Sequence, residues 1–359
     1  MLRLIHLGLG GWGRDWERNV LAPAERAGVI ERVAAVEVDR ATLSTARETL
    51  DLPEERYFTS LAEAAASVSA DAVLATVPLP AHVPVALEAI GLGLHVLVEK
   101  PFAPTLAEAE QVVAAGESAG RVVMVSQNYR PYPAVRAVVD LLRGGELGPV
   151  GAVHVDFRKH ITPSPSSPYG KIAQPLLEDM AIHHFDLMRL VLGREPVRVA
   201  CEGWNPPGST FAGIPAAAAA IAFDGGAVVS YRGSWVSPGP ETTWAGDWRV
   251  ECERGEVVWT SREGNLSLAA ERVVVRPLDG PGRTLKLSTT APAGRAGVLA
   301  ALARAIDAGE DPGSSGRDNL GSIALMTAAV RAATEHRVVE VERPAIWGRS
   351  SVSAGVGGR

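Results

Sequence analysis

The sequence predicts an α/β fold in two parts: a parallel sheet covered by helices, then an α+β part with a large, mostly antiparallel sheet. Three observations predict this fold. Short apolar runs alternate with helical stretches over residues 2–126, and a Gly-x-Gly-x-x-Gly spacing joins the first run to the first helical stretch. Strand-like runs then follow one another from about residue 150. Alternating strands and helices indicate a parallel sheet, whereas consecutive strands indicate an antiparallel one.

The first part contains five predicted strands. They lie at residues 2–7, 33–38, 72–76, 95–98 and 122–126. Helices are predicted between them, at residues 15–27, 42–50, 61–66, 82–91 and 106–120. Because the strands are mostly continuous apolar runs, they are typical of a parallel sheet that is buried on both faces.

A glycine motif lies in the turn between the first strand and the first helix. Gly8, Gly10 and Gly13 have the spacing Gly-x-Gly-x-x-Gly. The first glycine permits a tight bend, the second lets a pyrophosphate approach the backbone, and the third lets helix pack on strand. The free N–H groups of the helix N-terminus attract the anion. The motif therefore predicts a Rossmann dinucleotide-binding domain, with Gly11 and Trp12 as further cofactor contacts.

An acidic residue follows the second predicted strand. Glu37 lies about 24 residues beyond Gly13, close to the spacing of a carboxylate that binds ribose hydroxyls. Since such a carboxylate would repel a 2′-phosphate, NAD is the favoured cofactor. The neighbouring Arg40 keeps NADP open, and Glu37 could instead be a solvated acid at a strand end.

The second part has a different pattern. Strands are predicted at residues 153–158, 197–202, 216–223, 227–233, 248–252, 256–260 and 272–277, and helices at 295–308 and 320–333. Turn signals between the strands favour an antiparallel sheet. We predict a dinucleotide-binding domain at residues 1–126, an α+β substrate-binding and oligomerisation domain at 127–345, and a flexible Gly/Ser-rich tail at 346–359.

Composition excludes several classes of protein. The 359 residues carry a net charge of −6, which argues against a nucleic-acid partner. The two cysteines, Cys201 and Cys252, show neither a metal-ligand spacing nor a disulfide framework. The apolar stretch at residues 72–98 is broken by proline, histidine and glutamate, so no membrane span is expected. A strand-like run from residue 2 leaves no room for a signal peptide, and we expect a cytoplasmic protein.

Several spaced motifs resemble the Gfo/Idh/MocA family of NAD(P)-dependent sugar and cyclitol oxidoreductases. Glu-Lys-Pro at residues 99–101 ends a buried strand, and residues 77–82 are similar to the family's Thr-Pro-x-x-x-His loop. Gln-Asn-Tyr-Arg at residues 127–130 opens the second part, and residues 179–186 resemble the family's Asp-x-x-x-His-x-x-Asp helix. The resemblance extends in order from residue 2 to about residue 343. Val77 and Ala181 depart from the usual threonine and glycine.

The resemblance implies a set of site residues. Catalysis would belong to Lys100, Asp179 and His183. Beyond the glycine motif and Glu37, the implied cofactor contacts are Pro78, His82, Glu99, Lys100 and Asn128.

Chemistry read from the residues supports the same three catalytic candidates. Lys100 follows a strand at the carboxyl edge of the sheet, where open α/β sheets bind ligands. Asp179 and His183 are four residues apart, so a helix places both on one face, which Asp186 shares. We expect His183 to take a hydroxyl proton, Lys100 to hold and polarise the oxygen, and Asp179 to orient the pair or bind an adjacent hydroxyl. A surface lysine, a helix N-cap and a core histidine are the structural alternatives.

Further substrate contacts are candidates with weaker support. Tyr129 and Arg130 could reach the substrate or the nicotinamide side, and His184 could contact substrate or have a structural role. Tyr169 and Lys171 lie in a proline-rich loop, residues 162–171, that either lines the cleft or is a plain surface loop. Tryptophans that could stack on a sugar or pack in a core occur at positions 235, 244 and 248. No metal is expected, because Asp179 and the two adjacent histidines lack further ligands at a recognisable spacing.

The expected reaction is hydride transfer between a secondary alcohol of a sugar, sugar derivative or cyclitol and NAD. The resemblance also implies a homodimer or homotetramer formed through the C-terminal sheet. Two alternative functions stay open. One is a redox-neutral lyase or epimerase that uses NAD transiently through a keto-sugar, and the other is a non-catalytic nucleotide-binding regulator.

Overall fold

The N-terminal part is a six-stranded, all-parallel sheet. A computed structural model describes residues 1–164, 167, 169–264 and 267–348. The strands are β1 (Leu2–Leu7), β2 (Ile30–Val36), β3 (Tyr57–Phe58), β4 (Ala72–Ala75), β5 (His95–Val98) and β6 (Val123–Val125), in the order β3-β2-β1-β4-β5-β6. The strand order reverses between β1 and β4, the position at which doubly wound sheets bind dinucleotides. The predicted Rossmann domain is confirmed.

Helices connect these strands and cover both faces of the sheet. They are α1 (Gly11–Trp16), a π-helical segment (Glu17–Leu21), α2 (Ala22–Arg26), α3 (Arg40–Thr49), a 3₁₀ turn (Glu54–Arg56), α4 (Leu61–Ser67), α5 (Leu79–Gly91) and α6 (Leu106–Ala119). Side chains of Asp39, Ser60 and Thr105 cap the N-termini of α3, α4 and α6 by accepting backbone N–H groups. The predicted start of the first helix near residue 15 is corrected to Gly11, which brings the helix N-terminus to the glycine turn.

The C-terminal part is a nine-stranded sheet. Its strands are β7 (Val150–Arg158), β8 (Pro196–Trp204), β9 (Ala216–Phe223), β10 (Val228–Ser234), β11 (Asp247–Cys252), β12 (Gly255–Thr260), β13 (Arg272–Pro277), β14 (Arg283–Thr284) and β15 (Val339–Glu340). They lie in the order β14-β13-β12-β11-β7-β10-β9-β8-β15. All neighbours are antiparallel except β7 and β10, which run parallel, so the predicted mostly antiparallel sheet is confirmed.

The helices of the second part cover one face of this sheet and also reach the first part. They are α7 (Pro133–Arg143), a 3₁₀ turn (Tyr169–Lys171), a π-helical segment (Leu176–Met180), α8 (Ala181–Leu192), a 3₁₀ turn (Asp224–Gly226), α9 (Gly294–Ala308), α10 (Gly316–Glu335) and a 3₁₀ turn (Ala345–Gly348). Helices α8 and α10 pack on each other and α10 packs on β8. Val298, Leu299 and Leu302 of α9 instead pack under β1 with Leu2 and Leu4.

Two predicted segments fall partly outside the described residues. These are the predicted tail from residue 349 onward and positions 165, 166 and 168 of the proline-rich loop. Among the residues that are described, no helix combines the length and the apolar character needed to cross a bilayer.

Candidate functional site

A cleft of about 1560 Å³ lies at the carboxyl ends of the parallel strands. On one side it is lined by the turns that follow β1, β4 and β5. On the other side it is lined by the π-helical segment Leu176–Met180, by α8 and by loops of the nine-stranded sheet. Both parts of the chain therefore contribute side chains to one cavity.

The glycine turn forms one end of the cleft. Gly8 has φ +94°, and a Cβ there would lie 2.9 Å from the carbonyl carbon of Thr76. A Cβ on Gly13 would lie 1.9 Å from the Gly8 oxygen, so a side chain is excluded at this position. At Gly10 and Gly11 a Cβ would meet nothing within 4 Å, and both glycines line the cleft. The backbone is thus open where a pyrophosphate would approach, and the residues fit a dinucleotide.

Glu37 follows β2 at the same end. Its carboxylate accepts hydrogen bonds from the backbone N–H of Leu9 at 2.8 Å and of Asp39 at 3.0 Å, and its side chain lines the cleft. Each carboxylate oxygen can accept more than one hydrogen bond, so ribose hydroxyls can still bind here. Arg40 is exposed and is not among the residues that line the cleft.

Trp12 and Arg295 connect the glycine turn to α9. The exposed Trp12 lines the cleft, and the guanidinium of Arg295 lies 4.5 Å from its ring centroid and 5.1 Å from that of Trp16. Arg295 also forms an ion pair with Asp15 of α1. This contact could not be found from the sequence, because α9 is remote from α1 along the chain.

Lys100 meets Asp179 across the cleft. Its ammonium nitrogen donates to Asp179 Oδ1 at 2.6 Å and to the backbone oxygen of Asp179 at 3.1 Å. An ammonium has three hydrogens, so one remains for a ligand. Asp179 belongs to the π-helical segment and contacts Lys100 at the end of β5, and His183 of α8 lines the same cleft.

His183 lies in the cleft between the two parts of the chain. It is 5% exposed, lines the cleft, and stacks on Tyr129 with ring centroids 4.1 Å apart and planes 2° apart. Burial, together with the charges of Lys100 and Arg262, holds the pKa of His183 well below its usual range. The imidazole is therefore neutral near pH 7 and able to accept a proton.

Arg262 is a cleft residue that the sequence did not single out. Its guanidinium lies 4.3 Å from the Tyr129 ring centroid, hydrogen-bonds to the Tyr129 hydroxyl and lines the cleft. Its backbone has φ +60°, which is rare for a residue with a side chain. Glu271 holds this conformation by accepting hydrogen bonds from Arg262 N, Ser261 Oγ and Ala134 N.

The aromatic candidates divide between the cleft and the core. Trp235, Trp244 and Tyr169 line the cleft, whereas Trp248 is buried and stacks on Trp259. Burial and the nearby charge of Asp179 raise the pKa of Tyr169, so its hydroxyl stays protonated. Lys171, from the same loop, is exposed and is not among the cleft residues.

The structure places three predicted residues away from the cleft. Arg130 forms ion pairs with Asp186 and Asp318, so it supports the helices rather than reaching substrate. His184 is fully buried, with its ring nitrogens hydrogen-bonded to the Tyr231 hydroxyl and the Trp244 oxygen. Asp186 also accepts from Ser322 and does not share the cleft wall with Asp179 and His183. The structure therefore does not bring Arg130, His184 or Asp186 to the cleft wall that Asp179 and His183 form.

Of the remaining cofactor candidates, Pro78 and Asn128 line the cleft, and the buried Asn128 Oδ1 has no hydrogen-bond partner among the described residues. His82 also borders the cleft, but both of its nitrogens contact backbone oxygens, of Pro101 and Val77. Glu99 accepts from the Trp16 indole at 2.6 Å, which anchors the turn before Lys100. His82 and Glu99 therefore line the cleft and also hold the backbone of its wall in place.

No group of three or more potential metal ligands occurs within the described residues. Burial raises the pKa of Cys201 to about 12 and that of Cys252 to about 11, so both thiols stay protonated and unreactive at neutral pH.

The fold and the cleft together define a two-part dinucleotide-binding protein whose cleft is lined by Lys100, Asp179 and His183. Comparison with family models matches residues 2–127 to the oxidoreductase family with an NAD-binding Rossmann fold and residues 135–258 to the Gfo/Idh/MocA C-terminal domain. The chain belongs to the Gfo/Idh/MocA family of oxidoreductases, and its cofactor is NAD.

Individual relatives extend along most of the chain. A D-apiose dehydrogenase of Paraburkholderia graminis is 29% identical over 89% of this chain and 87% of its own length. A 1,5-anhydro-D-fructose reductase of Ensifer adhaerens is 27% identical over 79% of this chain and 84% of its own. The crystal structure of an aldose-aldose oxidoreductase from Caulobacter crescentus, complexed with glycerol, has the same fold, with a TM-score of 0.81, 24% identity, and coverage of 94% of this chain and 99% of its own.

Proposed function

We propose that this protein transfers hydride between a secondary alcohol of a sugar, sugar derivative or cyclitol and NAD. The observation that carries the proposal is the meeting of Lys100, Asp179 and His183 at one cleft wall, opposite the glycine turn. The names of the relatives, which include a sugar dehydrogenase and a sugar reductase, support the same class of substrate.

Lys100 binds the reacting oxygen in this proposal. Two of its hydrogens are held by Asp179, which fixes the ammonium and directs the third hydrogen into the cleft. A fixed positive charge stabilises negative charge that develops on the alcohol oxygen as its proton leaves. The Asp179 carboxylate also interacts with the Tyr169 side chain and can accept a further hydrogen bond from an adjacent substrate hydroxyl.

His183 takes the hydroxyl proton. Its imidazole is neutral because burial and neighbouring cations disfavour the charged form, and stacking on Tyr129 fixes its plane. The nicotinamide of bound NAD supplies the hydride acceptor. His183 returns the proton when the reaction runs towards the alcohol.

Aromatic side chains form the remaining wall for the substrate. Trp235, Trp244 and Tyr169 offer flat apolar surfaces, with two indoles at a centroid distance of 5.9 Å. The apolar C–H face of a sugar ring packs on such surfaces while its hydroxyls bind polar groups. This arrangement favours a ring or chain rich in hydroxyl groups over a simple alcohol.

The test is a panel of sugars, sugar acids and cyclitols incubated with pure protein and NAD, followed by absorbance at 340 nm and by product analysis. Accumulating NADH supports net dehydrogenation. Product without NADH would contradict net dehydrogenation and indicate a redox-neutral reaction that recycles NAD. NAD binding without any product would indicate a non-catalytic regulator.

We also propose a cytoplasmic homodimer or homotetramer that pairs through the open face of the nine-stranded sheet. This face carries exposed small and apolar side chains, among them Ala218, Ala220 and the 46%-exposed Val228. The same face also carries ion pairs such as Arg232–Asp156 and Arg276–Glu256, so a second subunit would meet both apolar and charged groups there. Light scattering should give a mass of two or four chains, and Ala220→Glu should lower it. A wild-type monomer would contradict the proposal.

A further inference from the structure

A buried chain of polar side chains lies directly beneath the glycine turn. His6 of β1, 1% exposed, contacts Glu17 Oε1 through Nδ1 at 2.7 Å and Thr76 Oγ1 through Nε2 at 2.9 Å. The other oxygen of Glu17 accepts from Arg32 at 2.8 Å, and Arg32 continues to Glu25 at the surface. Nothing in the proposed chemistry uses this chain, although it ends at the turn that binds the cofactor.

Thr76 joins the chain to the turn. Its hydroxyl lies 2.6 Å from the carbonyl oxygen of Gly8 and 3.3 Å from that of Leu7. A carbonyl oxygen only accepts hydrogen bonds, and a hydroxyl has one hydrogen. The hydroxyl hydrogen of Thr76 is therefore used on the backbone, and Nε2 of His6 must carry a hydrogen to bond with Thr76 Oγ1.

The opposite nitrogen of His6 faces a carboxylate. Although burial opposes ionisation, hydrogen bonds and charges of His6 and Arg32 hold the pKa of Glu17 below its usual range. Glu17 is thus a carboxylate that accepts hydrogen bonds, and it links His6 to Arg32 and, through Arg32, to Glu25.

We propose that His6 and Glu17 are positioning residues for NAD: His6, held by Glu17, donates to Thr76 Oγ1, which leaves the Thr76 hydroxyl hydrogen on the Gly8 carbonyl and so keeps the glycine turn in its binding shape. The contact is consequential because the Gly8 oxygen packs against Gly13, where even a Cβ would lie at 1.9 Å. A small displacement of this carbonyl therefore moves the start of α1, where the pyrophosphate would bind.

This arrangement fixes the direction of the Thr76 hydrogen bond. A side chain at position 6 that donates to Thr76 Oγ1 leaves the hydroxyl hydrogen on the Gly8 carbonyl, whereas one that cannot donate releases that constraint. We therefore expect NAD affinity to depend on a donor at position 6.

Further ionisable groups lie next to the pair. Arg32 of β2 contacts Glu17, and Glu25 of α2 pairs with Arg32. Tyr57 of β3 is near enough for Glu17 to contribute to its raised pKa, after burial.

The experiment is isothermal titration of NAD into wild-type protein, His6→Leu and His6→Gln at one pH. Leucine removes the donor to Thr76 Oγ1 and should weaken NAD binding about tenfold. A glutamine amide nitrogen can take the place of Nε2, so His6→Gln should bind NAD more tightly than His6→Leu.

Thr76→Val and Thr76→Ser form a matched pair. Valine removes the hydroxyl and should weaken NAD binding about tenfold, whereas serine keeps the hydroxyl and should preserve the wild-type affinity. Wild-type affinity in His6→Leu, or equal affinities for the valine and serine variants, would each overturn the proposal. The measurement follows NAD binding alone, so failure of any sugar to react leaves its outcome unaffected.

Discussion

Lys100 and His183 bear the proposed acid–base chemistry at the scale of single residues. We expect Lys100→Ala and His183→Ala each to lower turnover by about 10²–10⁴-fold, the usual contribution of a group that moves or stabilises a proton. Steady-state rates with the substrate found in the panel would measure the effect, and the exposed Lys286→Ala serves as control. Near-normal turnover in either variant would remove that residue from its proposed role.

Glu37 is expected to set the preference for NAD over NADP. Glu37→Ser removes the charge that would repel a 2′-phosphate, so the ratio of NADP to NAD affinity should rise by about tenfold or more. NAD affinity itself should fall, because the backbone N–H of Leu9 loses its acceptor. Titration of both cofactors measures the ratio, with Glu48→Ser, an exposed acid on α3, as control. An unchanged ratio would exclude Glu37 from the ribose site.

Cleft residues could be predicted from the sequence where their spacing along the chain was enough to determine their position. Asp179 and His183 line one cleft, as their four-residue spacing predicts, although Asp179 belongs to a π-helical segment; Lys100 lines it from the end of a parallel strand. Arg262 could not be predicted, since its position depends on a left-handed backbone held by the distant Glu271. Arg130 was misplaced for a similar reason: its carboxylate partners come from helices that are remote in sequence.

At the scale of elements, the turn between β1 and α1 needs glycine for two different reasons, close packing at Gly13 and access for the cofactor at Gly10. Gly13→Ala should destabilise the protein by several kcal/mol, because its Cβ would collide with the Gly8 carbonyl. Gly10→Ala has room to fold but places a methyl group where the pyrophosphate approaches. Urea unfolding and NAD titration distinguish the two. Normal stability of Gly13→Ala, or full NAD affinity of Gly10→Ala, would contradict this interpretation.

Elements with a strong local pattern were predictable, and those set by tertiary contacts were not. Strands β4 and β5 are continuous apolar runs, and their predicted positions differ from the observed ones by at most one residue. The two-residue strands β3, β14 and β15 exist only through pairing with neighbours. Helix α7 was missed, and the π-helical segments carry no spacing signal because their extra residue per turn is fixed by packing.

At the scale of the whole molecule, buried histidines limit stability in acid. Burial lowers the pKa of His184 from 6.5 to about 4 and also depresses those of His82 and His183. The unfolded chain therefore binds protons that the folded chain does not, and stability falls as pH drops below about 6.5. His184 alone should account for about 2 kcal/mol between pH 7.5 and 5.

Urea unfolding at pH 7.5 and pH 5 measures this loss. His184→Gln should be less stable than wild type at pH 7.5, because two hydrogen bonds are disturbed, yet should lose about 2 kcal/mol less on acidification. The exposed His160→Gln should behave as wild type at both pH values. Equal acid sensitivity of His184→Gln and wild type would refute the assignment.

The predicted domain boundary at residue 126 stays a prediction. Helix α9 lies far beyond that residue in the sequence but packs against the first part of the chain. Val298, Leu299 and Leu302 complete the apolar layer under β1, although they follow that strand by almost three hundred residues. A nascent chain on the ribosome therefore cannot close this layer until translation has passed α9 and the helix has left the exit tunnel. The N-terminal sheet is synthesised first, but its apolar layer is completed only late in translation. Until then the apolar face of β1 is exposed, and chaperones bind such surfaces.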